Sequence, residues 1–435
     1  MALNTRIGPT AVAAALGLAA LAGAGSVHAV TCSSVIGTFP AATQAHVIFG
    51  SGGSAITPTL AKVAYVLSKS NPPIFVFYQD GKGAGTGYAS FKKGTGGTTG
   101  NAFKYWLTAT DVAGTAPTCT ADDPVAGRAV DFATTGGTLA LFGETLAADT
   151  GVFTGPTQGV NVVVPKDSTE TSVSTEALFY VYGFGNASQF TGATNAIPWT
   201  NPAYIFRRAP TAFVQQFLRG AIRTLGGTAA TFPDFAVGAA SAPDSNQGSV
   251  DNIVTAASGG HVQEAIGFTS GPTADKNRAV VHTLAYQHAG QTAAYLPDST
   301  AQSFDKLNIR NGHYFLWDTN QFFTKITGSN AKPTLTQIVN PDVKAFIGYL
   351  SGQIASPDDA DVTRAVIETG SIPQCAMQVE RSSDFSGLSC YAPATPCGCY
   401  FESIATGTPT CDACSTDAQC GGSSPKCHFG FCEAY

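Results

Sequence analysis

Charge is scarce in this chain of 435 residues: Asp, Glu, Lys and Arg together make up 12%, where soluble domains carry about 25%. No run of Lys or Arg exceeds two residues and the net charge is −6, so the basic footprint that nucleic acid or an acidic membrane surface requires is missing. Methionine occurs only twice. No self-similarity at a solenoid period is visible, which sets repeat architectures aside. Apolar runs long enough to span a bilayer, ~20 residues, are also lacking, and no transmembrane segment is expected. What the chain does have is apolar material: 44% hydrophobic residues and 10% aromatics, enough for large cores and incompatible with wholesale disorder. Its 48 glycines point to many turns and close backbone approaches. The length suggests two or three domains, and the partner is expected to be a small molecule.

Arg6 precedes an apolar stretch from Ala11 to Ala24, which is followed by Val27, His28 and Ala29. A charged start, a short greasy middle and a small-residue end read as a secretory signal, 1–29, cut after Ala29, and place the protein outside the cytoplasm as secreted or periplasmic. All eleven cysteines follow it: Cys32, Cys119, and then Cys375, Cys390, Cys397, Cys399, Cys411, Cys414, Cys420, Cys427 and Cys432. An exported chain meets oxidising conditions, so these are disulfide candidates, with the odd total leaving one thiol over or bridging to another molecule. Cys411 and Cys414 carry the two-residue gap of a zinc knuckle, but zinc needs reduced thiolates and export removes them. No metal and no cofactor are expected.

Compact apolar runs alternate with helical patterns from Ala45 onward, the signature of an α/β architecture. Strand candidates are HVIFG (46–50), IFVFYQ (74–79), AVDFAT (129–134), NVVVP (161–165), AIGFT (265–269) and AVVHTL (279–284). A helix with Ser54 as N-cap carries Leu60, Val63, Ala64 and Leu67 at helical spacing. A second, about 211–225, puts Phe213, Phe217, Leu218 and Ile222 on one face. Residues 81–100 read as a Gly/Thr loop, and HYFLWDTNQFF (313–323) as core more than cleft lining, through Tyr314, Leu316 and Phe322. Asp358, Asp359 and Asp361 lack the glycine and distal glutamate of a calcium loop and read as a solvated loop or helix cap. After about residue 370 the periodicity ends and nine cysteines follow. This marks a small disulfide-stapled C-terminal module, 370–435.

Chemistry concentrates in three polar turns after successive strands. FGSGGSAITPTLAKVAYVL (49–67) is a glycine loop entering a helix, where free N–H groups and the positive dipole end attract anions, with Ser51 or Ser54 adding a hydroxyl. YQDGKGAGTG (78–87) and DFATTGG (131–137) follow the next two strands, and all three would converge at the carboxyl edge of one sheet, where open α/β sheets place ligands. Each loop by itself also reads as a plain tight turn.

The order of these motifs resembles that of the periplasmic phosphate-binding protein family, the solute receptors of ABC importers. The match runs over roughly 45–355 through GSGGSAITPTLAKVA (50–64), YQDGKGAGTG (78–87), VDFATTGG (130–137), RRAPTAF (207–213), SNQGSV (245–250) and AIGF (265–268). It implies a two-lobed, type II binding-protein fold, with lobe 1 at 30–165 and 265–365, lobe 2 at 166–264, and a ligand in the interlobe cleft. By position it implies that Ser54 and the Ala55 N–H hold a small oxyanion (phosphate, sulfate or an organic oxyanion). Ala84, Thr86, Thr134 and Thr135 would come from the other loops, and Arg208 and Thr211 from the second lobe. It also implies an ABC permease partner, with a surface partner for the Cys-rich tail as the other possibility. Three positions depart from the family: its second carboxylate falls on Gly136, its second-loop serine on Ala84, and its Ser-Gly-Thr segment is shortened to Pro210 and Thr211. A buried acceptor is what tells protonated phosphate from sulfate, so phosphate selectivity is not expected without the carboxylate, unless Asp80 supplies an acceptor.

Enzyme readings find little support. Residues 50–56 read GSGGSAI, not a Gly-x-Ser-x-Gly elbow. His46, His261, His282, His288 and His313 form no His-Glu-x-x-His pattern, and Gly83, Gly85 and Gly87 lead into no Walker lysine. The competing class is an extracellular structural or adhesion protein that keeps the fold and has lost the anion site.

Overall fold

The computed structural model describes residues 30–80, 83–95, 101–122, 129–183, 197–222, 245–357, 361–424 and 426–433. The expected signal, 1–29, lies outside them, as do Asp358 and Asp359. Strands are β1 (Val47–Gly52), β2 (Phe75–Gln79), β3 (Ala102–Tyr105), β4 (Thr118–Thr120), β5 (Phe132–Gly136), β6 (Thr150–Pro165), β7 (Ser172–Ser174), β8 (Gly267–Ser270), β9 (Val281–Thr283), β10 (Ala285–Gln287) and β11 (Trp317–Lys325). Each of the six strand candidates falls on one of them. A nine-stranded mixed sheet runs β4-β3-β2-β1-β5-β11-β6-β8, with β9 also on β6. β1 is parallel to β2 and β5, whereas β11 is antiparallel to both β5 and β6.

Alternation along the strands sets the cores, because successive side chains point to opposite faces. Ile48 and Phe132 face a cluster with Leu60, Phe346 and Val366 from the helices Thr57–Leu67, Pro341–Ser351 and Val362–Ile367. Phe49 and Ala133 face the other way, onto Tyr88, Phe91 and Phe103. Strand β6 repeats the pattern in its second half: Val160, Val162 and Val164 join one cluster and Val163 another, with Phe206, Val250 and Ile253. The 16-residue β6 therefore links apolar bodies at both ends of the sheet. In class this is the expected α/β fold with a disulfide-rich C-terminal region.

Two local expectations need correcting. Ser54 does not cap the first helix: it opens a 3-10 turn, Ser54–Ile56, and the α-helix begins at Thr57, with Pro58 in its first turn, where a missing N–H costs nothing. Residues 84–92 are not loop but the helix Ala84–Lys92, with Ala84, Tyr88 and Phe91 buried on one face. The glycines hid this spacing. The helix expected over 211–225 is described as Phe213–Ile222, and its remainder lies outside the described residues. Asp361 is a helix cap, its carboxylate accepting from the Arg364 N–H at 2.7 Å.

Ten cysteines pair: Cys32–Cys119, Cys375–Cys397, Cys399–Cys411, Cys414–Cys427 and Cys420–Cys432. Cys390 is the exception, a free and exposed thiol. The C-terminal segment shares the main core. Ala376, Met377, Cys397 and Phe401 are buried in one cluster with Val160 and Phe217, and buried Arg310 donates to the carbonyls of Ala376 and Gly398 and to Glu402. Among the described residues no helix is long and apolar enough to cross a membrane.

Candidate functional site

The parallel register of β1, β2 and β5 ends all three strands at one sheet edge, with Ser51 opposite Gln79 and Gly52 opposite Thr134. The three polar turns therefore meet. A β-carbon on Gly53 would stand 3.2 Å from that of Ala84, and one on Gly87 2.4 Å from the Gly52 Cα, so only glycine allows the second helix to lie this close to β1. The segment carrying Thr211 reaches the same place: a β-carbon on Gly83 would fall 2.5 Å from the Thr211 Oγ1 and 2.6 Å from its carbonyl oxygen.

Many of the polar atoms gathered here are engaged with the protein itself. Ser51, 1% exposed, donates to the Gly87 carbonyl at 2.9 Å. Thr134 shares a 2.6 Å hydrogen bond with the Tyr78 hydroxyl, which donates in turn to the Gly53 carbonyl at 3.0 Å. Burial pushes the Tyr78 hydroxyl far above the ordinary phenol range. Thr135 donates to the Gly137 carbonyl at 2.6 Å. Arg208 is 2% exposed and its backbone N–H donates to the Gln215 side-chain oxygen at 3.2 Å. Thr86 is half-buried in the first turn of its helix, and Thr211 is exposed.

A phenyl ring closes on the end of β5. A β-carbon on Gly136 would lie 2.5 Å from the ring of Phe213, and Phe213 packs in one buried cluster with Ala55 and Ala84. At Gly136, the position that the resemblance assigns to a carboxylate, an apolar ring thus stands where a side chain would be. Seating a dehydrated anion against it would cost several kcal/mol without compensating donors.

Open volume lies to one side, in a cleft of about 740 Å³. Ser54 and Thr57 line it from the first turn, Ser245, Asn246 and Gln247 from the start of the helix Asn246–Ser258, and Pro272 and Thr273 from the start of Gly271–Lys276. Trp106, Val112, Phe304 and Ile367 give it apolar walls. Of the nine ligand candidates, Ser54 alone is among the described lining residues. The lining acids already have partners. Asp80 accepts from Lys104 at 2.7 Å and Thr57 at 2.8 Å; Asp111 closes a capping box with Thr108; Asp275 pairs with Arg278 and Lys306, and Glu368 with Lys62 and Arg364. Lys276 is exposed at the rim. Asp80 therefore serves an internal ion pair.

Sequence reasoning placed Phe213 on a helix face and stopped there. The signal of its role was the loss of the family's carboxylate at Gly136, where the ring stands. Trp106 and Phe304 carried no motif and gave no signal.

No family model and no curated protein matches this chain. Among solved structures it is similar to an ABC-type phosphate transport receptor from Vibrio cholerae, at 17% identity over 75% of this chain and 99% of that one, TM-score 0.44. It is similar also to a possible phosphate binding protein from Planctomyces limnophilus, at 13% identity over 75% and 92%, TM-score 0.41. A third is the OxyR regulatory domain of Pseudomonas aeruginosa in its reduced form, at 9% identity over 66% and 92%, TM-score 0.34.

Proposed function

We propose that this chain is an exported solute-binding-type protein that holds an organic oxyanion, a phosphoester or carboxylate on a larger body, in the cleft beside Ser54. One observation carries the reading: three helix starts, at Ser54 and Thr57, at Asn246 and at Pro272, line a single cleft of about 740 Å³. Free N–H groups and aligned dipoles at helix starts favour a negative group, and the Ser54 hydroxyl and the Lys276 ammonium add to them. The volume is that of an organic ligand, far larger than a lone phosphate needs, and the apolar walls would take the body that carries the anionic group. Binding without turnover is the activity proposed. Export rests on the signal pattern ahead of Val30 and on the cysteine content. An importer permease would take the loaded protein, or a surface partner would hold it through the Cys-rich segment.

The second reading, a structural or adhesion protein that has lost its anion site, draws on Phe213 and on the internal pairing of Asp80, Asp111, Asp275 and Glu368. Thermal unfolding in the presence of sugar phosphates, nucleotides and dicarboxylates separates the two. A ligand at a hundred times its dissociation constant adds about 2.7 kcal/mol, and that gain should shrink in Ser54→Ala and vanish when Thr369→Trp fills the cleft. Silence across the whole panel supports the structural reading instead.

A further inference from the structure

Of the large apolar side chains left exposed among the described residues, Phe304 alone lines the cleft, at 41% exposure. Its ring is held in place. The Arg278 guanidinium lies over it, 3.8 Å from the centroid, and all five N–H donors of that guanidinium are engaged inside the protein. They go to Asp275 through Nε at 3.0 Å and through a second nitrogen, to Asp298 at 2.7 Å, and to the carbonyls of Ala301 and Ser303. The Lys306 ammonium, 5.7 Å from the same centroid, is bound to the same two carboxylates at 2.8 Å each. Arg278 therefore backs the ring and has no donor left for a ligand. Among the described residues no other aromatic ring packs on Phe304, and what it leaves exposed faces the cleft.

A buried amide opens on the same space. Asn246, the first residue of the helix Asn246–Ser258, lines the cleft and is 4% exposed. Its side-chain oxygen accepts from the Ser270 N–H at 3.3 Å, which fixes the orientation of the amide. Its NH2 group has no hydrogen-bond partner among the described residues and is not sealed from solvent. With the acceptor already satisfied, only donors are offered to a ligand, and donors select oxygens such as those of a phosphoester or carboxylate.

We infer, on the premise that the cleft holds an organic oxyanion as proposed above, that the ligand is an aryl oxyanion: a flat aromatic ring stacked on Phe304, carrying an anionic group that accepts from the Asn246 amide. The cation behind Phe304 decides between a flat body and a saturated one. It draws the electron density of the ring toward itself and leaves the opposite face less negative. Another π face then stacks with less repulsion, whereas the C–H bonds of a sugar or saturated ring, which seek a negative face, gain less. Because the ring is already fixed, stacking on it costs little ordering.

The test is isothermal titration of the mature, disulfide-bonded chain with two matched pairs, AMP against ribose 5-phosphate and phenyl phosphate against cyclohexyl phosphate. Within each pair the anionic group is the same and the aromatic ring is the difference. The aromatic member should bind about tenfold tighter. Phe304→Leu keeps an apolar side chain at an exposed position and should bring that ratio below about threefold, with the weaker member unchanged. Asn246→Asp keeps the acceptor for Ser270 and replaces the NH2 group by a carboxylate oxygen, so it should weaken both members of a pair by the same factor, at least about tenfold. Equal affinities within the pairs, or a ratio that survives Phe304→Leu, would overturn the aryl ligand and leave an oxyanion in the cleft. Unchanged affinities in Asn246→Asp would overturn the role of the amide. No saturable heat from any of the four would remove the cleft reading and the aryl ligand with it.

Discussion

The ring of Phe213 occupies the space that a side chain on Gly136 would enter, with 2.5 Å between the would-be β-carbon and the ring. Gly136 ends β5 at the sheet edge and Phe213 begins the helix that follows Arg208. The contact therefore brings the helix that follows Arg208 against the end of β5, at the position that the resemblance gives a carboxylate.

Phe213→Ala should cost about 3–5 kcal/mol, the range for removing a buried phenyl ring. Gly136→Asp should cost at least about 3 kcal/mol, since it overpacks the ring and buries a carboxylate. Joined in one chain, the two changes should cost less than their sum by about 1–3 kcal/mol. Urea unfolding of the four proteins measures this, and strict additivity would mean that the ring does not set the size of position 136.

The fold was legible wherever burial wrote a pattern. Ile48 and Phe49, or Val162 and Val163, alternate between faces in the chain as they do in the cores. The first half of β6, TGVFTGPTQG, escaped notice because glycine, proline and threonine dominate it and its partner β11 supplies the apolar cover; β3 and β4 are too short to show a period. The candidate site was legible in part. The register of β1, β2 and β5 brings the three turns together as their sequence order implied, but the ring that stands against Gly136 comes from Phe213, more than 75 residues along the chain from any of them. Local sequence does not encode such a contact. The cleft likewise joins Trp106, Asn246 and Phe304, residues that no spacing connects.

The Cys32–Cys119 disulfide closes a sequence separation of 87 residues and ties the N-terminal helix Cys32–Ile36 to edge strand β4, both sulfurs lying in the core. Cys32→Ala with Cys119→Ala should lower stability by about 4 kcal/mol, mainly by freeing the unfolded chain. Guanidinium unfolding of both forms checks it, and a loss under about 1 kcal/mol would show that the bridge constrains little.

His288 stacks on Phe315 at 3.5 Å between ring centroids, and burial, with the Arg381 charge adding to it, lowers its pKa from 6.5 to about 4. The folded state holds this ring neutral while the unfolded chain protonates it. Its contribution is thus fully present above pH 6.5 and lost as pH falls toward about 4. Allowing for partial exposure of the ring, the loss should be on the order of 1–2 kcal/mol. Urea unfolding at pH 7 and pH 4 should show a smaller acid loss in His288→Gln than in the parent by that amount; equal losses would reject the assignment.

Isothermal titration with inorganic phosphate tests the central claim most directly. With the Phe213 ring standing at Gly136, where the resemblance places the anion's carboxylate partner, phosphate and sulfate should give no saturable heat with the parent chain, and Arg208→Ala should leave that trace unchanged. Stoichiometric phosphate binding that disappears in Arg208→Ala would contradict the account and restore the small oxyanion to the pocket.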